Sequence, residues 1–206
     1  MHSSSLHASA RDSVLRIEMR DPSGFPRLHR GLVFELLQAI QAFETDRLLR
    51  GAIISGADQC FAAGAELAEV AALDAAEAAR FSALGQAVMR AIESSRKPLI
   101  AAIRGYCMGG GFDLALACHA RIAAADAVFA YRGAALGIIT GWGGTHRLPR
   151  TVGPRGRSLA LDLMVTGRTL TAEDAYAAGL VSRVVPAERL EEEALFWIAR
   201  YRQDQP

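Results

Sequence analysis

The chain has 206 residues, 51% hydrophobic and 22% charged, proportions that exclude a disordered or collagen-like polymer. At roughly 100–200 residues per domain, this length predicts a single domain. Lys+Arg number 23 and Asp+Glu 22, for a net charge of +1, so no global field draws the protein to nucleic acid.

Alanine occurs 39 times, and Lys97 is the sole lysine. So much alanine lets backbones pack closely, and only 7% aromatics leave an aliphatic core. Cys60, Cys107 and Cys118 are widely spaced with no CxxC. That argues against a disulfide framework or zinc site and for free thiols in a reducing compartment. The N-terminus lacks the apolar centre of a secretory signal. No window holds the ~18 uninterrupted apolar residues of a membrane span. The expectation is a cytoplasmic protein that binds neither metal, membrane nor nucleic acid.

In chain order, residues 1–12 are Ser- and His-rich and read as a loose segment ahead of a core over 13–201. Val14–Met19 alternates apolar and charged residues, as a half-exposed strand does. Apolar residues at helical spacing predict a helix over 28–44. Ala52, Ile53 and Ile54 read as a buried strand closed by Ser55-Gly56. A helix is predicted over 75–94, with Asp74 as its cap. A second buried strand covers 98–103, then a glycine-punctuated loop over 105–111 and a helix over 112–119. Short strands are predicted at 121–125 and Val128–Ala130. The remainder reads as mostly helical, with Thr171 opening one helix and Pro186–Glu188 the last, which ends at Tyr201. Strands alternating with helices predict an α/β fold with parallel pairing.

Two loops invite chemistry. Gly109-Gly110-Gly111 lies between a buried strand and a helix. Glycine removes every Cβ there, and helix-start N–H groups are unsatisfied donors at a positive dipole end. Such a place stabilises a negative oxygen; the competing reading is a tight turn. The loop 56–67 also runs small residues from a strand into a helix. Two such loops can clamp one oxygen from both sides, as an oxyanion hole does. GxxxxGK[ST] is absent, so neither loop is a P-loop.

The stretches CFAAGAEL, KPLIAAIRGYCMGGGFDLALACHARIAAADAVFA, GWGGTHRLPRTVG and TGRTLTAEDAYAAGLVSRVVP together resemble the crotonase (enoyl-CoA hydratase/isomerase) superfamily, over about residues 13–200. The resemblance implies a spiral of ββα units with short stacked strands, binding acyl-CoA thioesters. It implies an oxyanion hole made by the N–H groups of Ala65 and Gly110, with Ala63, Ala65, Gly109, Gly110 and Gly133 along the substrate. Coenzyme A enters as part of the substrate, with no separate cofactor. The family further implies a homotrimer or a dimer of trimers, and a C-terminal helical region largely absent here.

Hydratases of the family use two carboxylates. Three residues after Gly110 stands Asp113, one methylene shorter than the usual Glu, and its side chain is expected to project toward the reacting carbons. It competes with a reading as a first-turn helix residue. Twenty residues later, where the second carboxylate belongs, stands Gly133. Water addition needs one group for the water and one for the α-proton, so efficient two-carboxylate hydration is doubtful. Arg132 reads as a surface charge or an anion ligand, His146 as a helix-start residue or a base, and His119 as structural. The implied function is an acyl-CoA enzyme, lyase or isomerase; the alternative is a CoA-ester-binding or assembly protein of the same fold with weak or lost catalysis.

Overall fold

The structure is a computed structural model that describes residues 5–57 and 59–201. Strands β1 (Leu6–Arg11) and β2 (Val14–Met19) form an antiparallel hairpin, with Leu6 opposite Met19 and Arg11 opposite Val14. Asp12 and Ser13 make the turn with φ of 53° and 63°. That left-handed pair twists with the strands, which two-residue hairpins require. The expected loose segment is corrected over Leu6–Arg11; residues 1–4 lie outside the described residues. This edge strand exposes five of its six residues, so it carries no apolar alternation to read.

Helix α1 (Arg30–Thr45) begins where His29 Nδ1 accepts the N–H of Leu32 at 3.2 Å. Its buried face is Leu32, Val33, Leu36, Ile40 and Phe43, the helical spacing seen in the sequence. Strand β3 (Gly51–Ser55) follows, then β4 (Cys60–Ala62), the short α2 (Leu67–Ala71) and the long α3 (Ala75–Glu93). Asp74 starts α3 through a capping box. It accepts from Glu77 N at 2.7 Å, and its own N–H donates to Glu77 Oε2 at 3.1 Å. Next come β5 (Leu99–Ile103), β6 (Tyr106–Met108) and α4 (Gly110–Ala117), then β7 (Ala120–Ala124) and β8 (Val128–Ala130). A 3-10 turn at 132–136 leads to α5 (Gly144–Val152) and α6 (Arg157–Thr166). The chain closes with β9 (Leu170–Thr171), α7 (Ala172–Ala177), β10 (Arg183–Val185) and α8 (Leu190–Tyr201).

The strands make two sheets, ordered β1-β2-β3-β5-β7-β10 and β4-β6-β8-β9. The outer pairs β1/β2 and β8/β9 are antiparallel and the rest parallel. Three successive turns, β3-β4, β5-β6 and β7-β8, each give one strand to each sheet before a helix. This is the ββα spiral implied by the resemblance. The central strands β3, β5 and β7 of the large sheet are mostly buried on both faces. Ala52, Ile54, Ala101 and Ile103 join the main core. Ile53, Ile100 and Ile122 face Leu190, Ala194 and Ile198 of α8. Strands β4 and β6 fall inside the two segments expected to be loops, and β9 and β10 lie in the stretch expected to be mostly helical. At two or three residues each, they are too short for a period to register.

Candidate active site

Both candidate loops leave the small sheet side by side. Ala63 N donates to Pro26 O at 2.8 Å, and Leu28 N donates to Gly64 O at 2.8 Å, so the segment before α1 pins the first loop. Gly64 and Gly109 have φ of 98° and 50°, a region that favours glycine. A Cβ at Gly64 would lie 3.1 Å from Met108 O and 3.7 Å from Gly110 N, so the loops touch. Gly110 opens α4, and its N–H therefore has no intrahelical acceptor. Among the described residues the Ala65 N–H likewise finds no acceptor.

A cavity of about 360 Å³ collects the predicted residues: Ala63, Ala65, Gly109, Gly110 and Gly133 all line it. Its remaining wall is mainly aliphatic and aromatic. Phe81 and Trp142 meet edge to face, with centroids 5.3 Å apart. Trp142 lies so close to the start of α4 that a Cβ at Gly110 would fall 2.5 Å from its Cζ3, and one at Gly85 2.1 Å from its Nε1. The indole thus wedges the start of α4 against α3.

Asp113 departs from expectation. It is 0% exposed and is not among the residues lining the cavity. Tyr131 Oη donates to its Oδ1 at 2.8 Å, and Thr140 Oγ1 donates to its Oδ2. The expected direct projection toward substrate is therefore corrected: two hydroxyls, both on cavity-lining residues, stand between. Burial pushes the Asp113 carboxyl up to about 6, against the pull of the Thr140 and Tyr131 hydrogen bonds, the Arg147 charge and the Trp142 N–H. Burial and the neighbouring carboxylate raise Tyr131 well above its ordinary value, so it stays a hydroxyl donor. Arg147 donates to Trp142 O at 2.7 Å and pairs with Glu93 at 2.6 Å, fixing the loop that carries Thr140 and Trp142. Gly144 packs on the carboxylate: a Cβ there would fall 2.1 Å from both Asp113 Oδ1 and Tyr131 Oη.

Gly133 sits in the 3-10 turn and gives the cavity no carboxylate; Arg132 is the one charged side chain among the described lining residues. Arg132 is exposed and donates to Gly167 O at 3.3 Å. His119 Nδ1 accepts the Leu99 N–H at 3.1 Å, a structural role. His146 is exposed on α5, 3.4 Å from Arg150, in a separate cleft. The three cysteines are free and buried, and desolvation pushes Cys60 and Cys118 up to about 12, which makes poor nucleophiles. Among the described residues no group of three or more His, Cys, Asp or Glu is placed to hold a metal. No described helix is long and apolar enough to cross a membrane. Sequence reasoning missed Thr140, Trp142, Phe81 and Gly144. The available signal was GWGGTHRLPRTVG, preceded by one threonine at the end of an apolar run.

Two stacked sheets wound from ββα units, with two backbone loops meeting over one apolar cavity, define a protein of the crotonase fold. Residues 9–206 match the enoyl-CoA hydratase/isomerase family, and the chain belongs to that family. It is 42% identical to a crotonyl-CoA hydratase from Syntrophomonas wolfei over 170 residues, which are 82% of this chain and 64% of that relative. It is 39% identical to a mitochondrial enoyl-CoA hydratase from Pongo abelii, covering 89% of this chain and 62% of the relative. The chain thus spans somewhat less than two thirds of these relatives. Among solved structures, Pseudomonas aeruginosa DspI superimposes with a TM-score of 0.91 at 30% identity, over 99% of this chain and 82% of that one. An enoyl-CoA hydratase from Bacillus anthracis gives 0.88 at 33% identity, over 95% and 76%.

Proposed function

We propose that the chain processes acyl-CoA thioesters, as a lyase or isomerase, through an enolate whose oxygen sits between the N–H groups of Ala65 and Gly110. The observation that carries this reading is the meeting of those two loops on one apolar cavity, with a buried carboxylate behind its wall. The thioester oxygen gains charge as the enolate forms. Fixed N–H donors facing it in a dry site lower that barrier, each by roughly 3 kcal/mol. The coenzyme A moiety passes along the first loop at Ala63 and Ala65 and is the only carrier group required. Asp113, near neutrality because of its burial, is the proton acceptor and donor of the site.

The relatives' names are those of hydratases, which supports hydration. One carboxylate instead of two supports a reaction that moves a single proton, such as double-bond isomerisation. Gly133 also favours a second reading, a CoA-ester-binding or assembly protein with weak catalysis. A panel of enoyl-CoA esters, assayed for turnover and for calorimetric binding on the same sample, separates the readings. Binding with turnover supports an enzyme, binding alone supports the second reading, and no binding removes both. Buried free thiols support a reducing compartment such as the cytoplasm. Exposed Ile139, Leu161 and Val165 support self-association as a homotrimer or dimer of trimers.

A further inference from the structure

We propose that the Thr140 hydroxyl is the catalytic group facing the substrate, and that Asp113 acts only through it. The proposal rests on the acyl-CoA reading above and adds the route by which a proton travels. Asp113 has no surface of its own, and each of its oxygens is occupied by an O–H donor. Any proton it exchanges with the cavity must pass through one of those two hydroxyls. Tyr131 also lines the cavity but is only 4% exposed, its ring stacked on Phe112 at 5.0 Å. Thr140 is half-buried and lines the cavity. A threonine hydroxyl carries one proton and two lone pairs. The proton is committed to Asp113 Oδ2, which leaves the lone pairs to accept from the cavity. Thr140 and Gly133 line the same cavity. The Thr140 loop folds back on Gly133, with Ile138 N donating to Gly133 O at 2.9 Å.

In the hydration direction, a water oxygen forms its bond to the β-carbon of the enoyl thioester. One water proton passes to Thr140 Oγ1 as the Thr140 proton moves to Asp113 Oδ2. The C=C electron pair moves toward the carbonyl, giving the enolate held by Ala65 and Gly110. The enolate then takes a proton at its α-carbon from Thr140, which is resupplied by Asp113. The net result is one water added across one double bond, with threonine and aspartate restored. In an isomerisation the same relay removes a proton from one carbon and returns it to another.

The test is steady-state turnover and calorimetric binding of crotonyl-CoA by wild type, T140V and T140S, with T140A in place of T140V if the valine variant does not fold. Valine keeps the shape and removes the hydroxyl. The expected result is a kcat loss of about 10²-fold or more, with little change in affinity, and recovery of most activity by serine. The pH profile adds a readout that a packing role would not move. The acidic limb of wild type is expected near the Asp113 value of about 6. In T140V the residual activity is expected to lose this limb, because Asp113 no longer has a hydroxyl through which to reach the substrate. Tyr131, Arg147, Cys107 and the Trp142 N–H also face Asp113 and are the same in both proteins. An active wild type matched by an equally active T140V, with the limb unmoved, overturns the relay alone. A wild type that neither binds nor turns over any enoyl-CoA overturns the acyl-CoA reading and the relay with it.

Discussion

The cavity has two walls built by different means. One is backbone: the N–H groups of Ala65 and Gly110, set by loops that touch at Gly64 and Met108 and by an indole wedged between Gly85 and Gly110. The other is side chain: Tyr131, Thr140 and the bare Gly133, with Asp113 buried behind them. A main-chain donor stays in place as long as the loops pack, whatever the neighbouring side chains become. A side-chain acid or base disappears with one substitution. The backbone wall therefore rests on loop packing, while the side-chain wall presents no carboxylate of its own and keeps Asp113 buried behind it. On this account the first wall governs binding and the second governs which reaction follows.

Substitutions on each wall should then separate. Asp113→Asn is expected to have the largest effect, lowering kcat by about 10²–10⁴-fold while leaving acyl-CoA affinity nearly intact; unchanged turnover would remove Asp113 from the chemistry. Gly144→Ala comes next. Its Cβ would meet Asp113 Oδ1 and Tyr131 Oη at 2.1 Å, and overpacking of this kind costs about 1–3 kcal/mol. Both melting temperature and kcat should fall, read by calorimetry and steady-state kinetics.

Gly133→Glu tests the vacated position directly. Its Cβ would stand 3.0 Å from Ile138 O, so the turn must give by a few tenths of an ångström. The expected outcome is faster crotonyl-CoA hydration than wild type at slightly lower stability. A loss of hydration would show that the turn does not accept the second carboxylate. The smallest effect is on stability against pH. The folded-state value of Asp113, about 6, lies above its ordinary 3.8. Its stabilising contribution is therefore complete below 3.8 and is lost as pH rises through about 6. Asp113→Asn lacks this titration. The difference in melting temperature, variant minus wild type, should grow across that window; a constant difference would contradict the shift.

The two walls were not equally legible in the sequence. Backbone sites are written in glycines and small residues between a buried strand and a helix, and both loops were found that way. Helices α1 and α3 were legible because their apolar spacing and the Asp74 cap are local signals. Strand β1 was not, since an exposed edge strand has no buried face to imprint a pattern. The burial of Asp113 was also hidden. It depends on Tyr131 and Thr140, 18 and 27 residues away, and no local pattern records which hydroxyl a distant carboxylate meets. Trp142 lies in the GWGGTHRLPRTVG stretch, but its wedging role was hidden for the same reason, because its partners Gly85 and Gly110 come from other elements.

The most direct measurement is a crystal structure of the chain with acetyl-CoA bound. The account predicts the thioester oxygen at about 2.7–3.1 Å from both Ala65 N and Gly110 N, with the acyl group beside Thr140. A thioester seated elsewhere, or an oxygen contacting neither N–H, would contradict it.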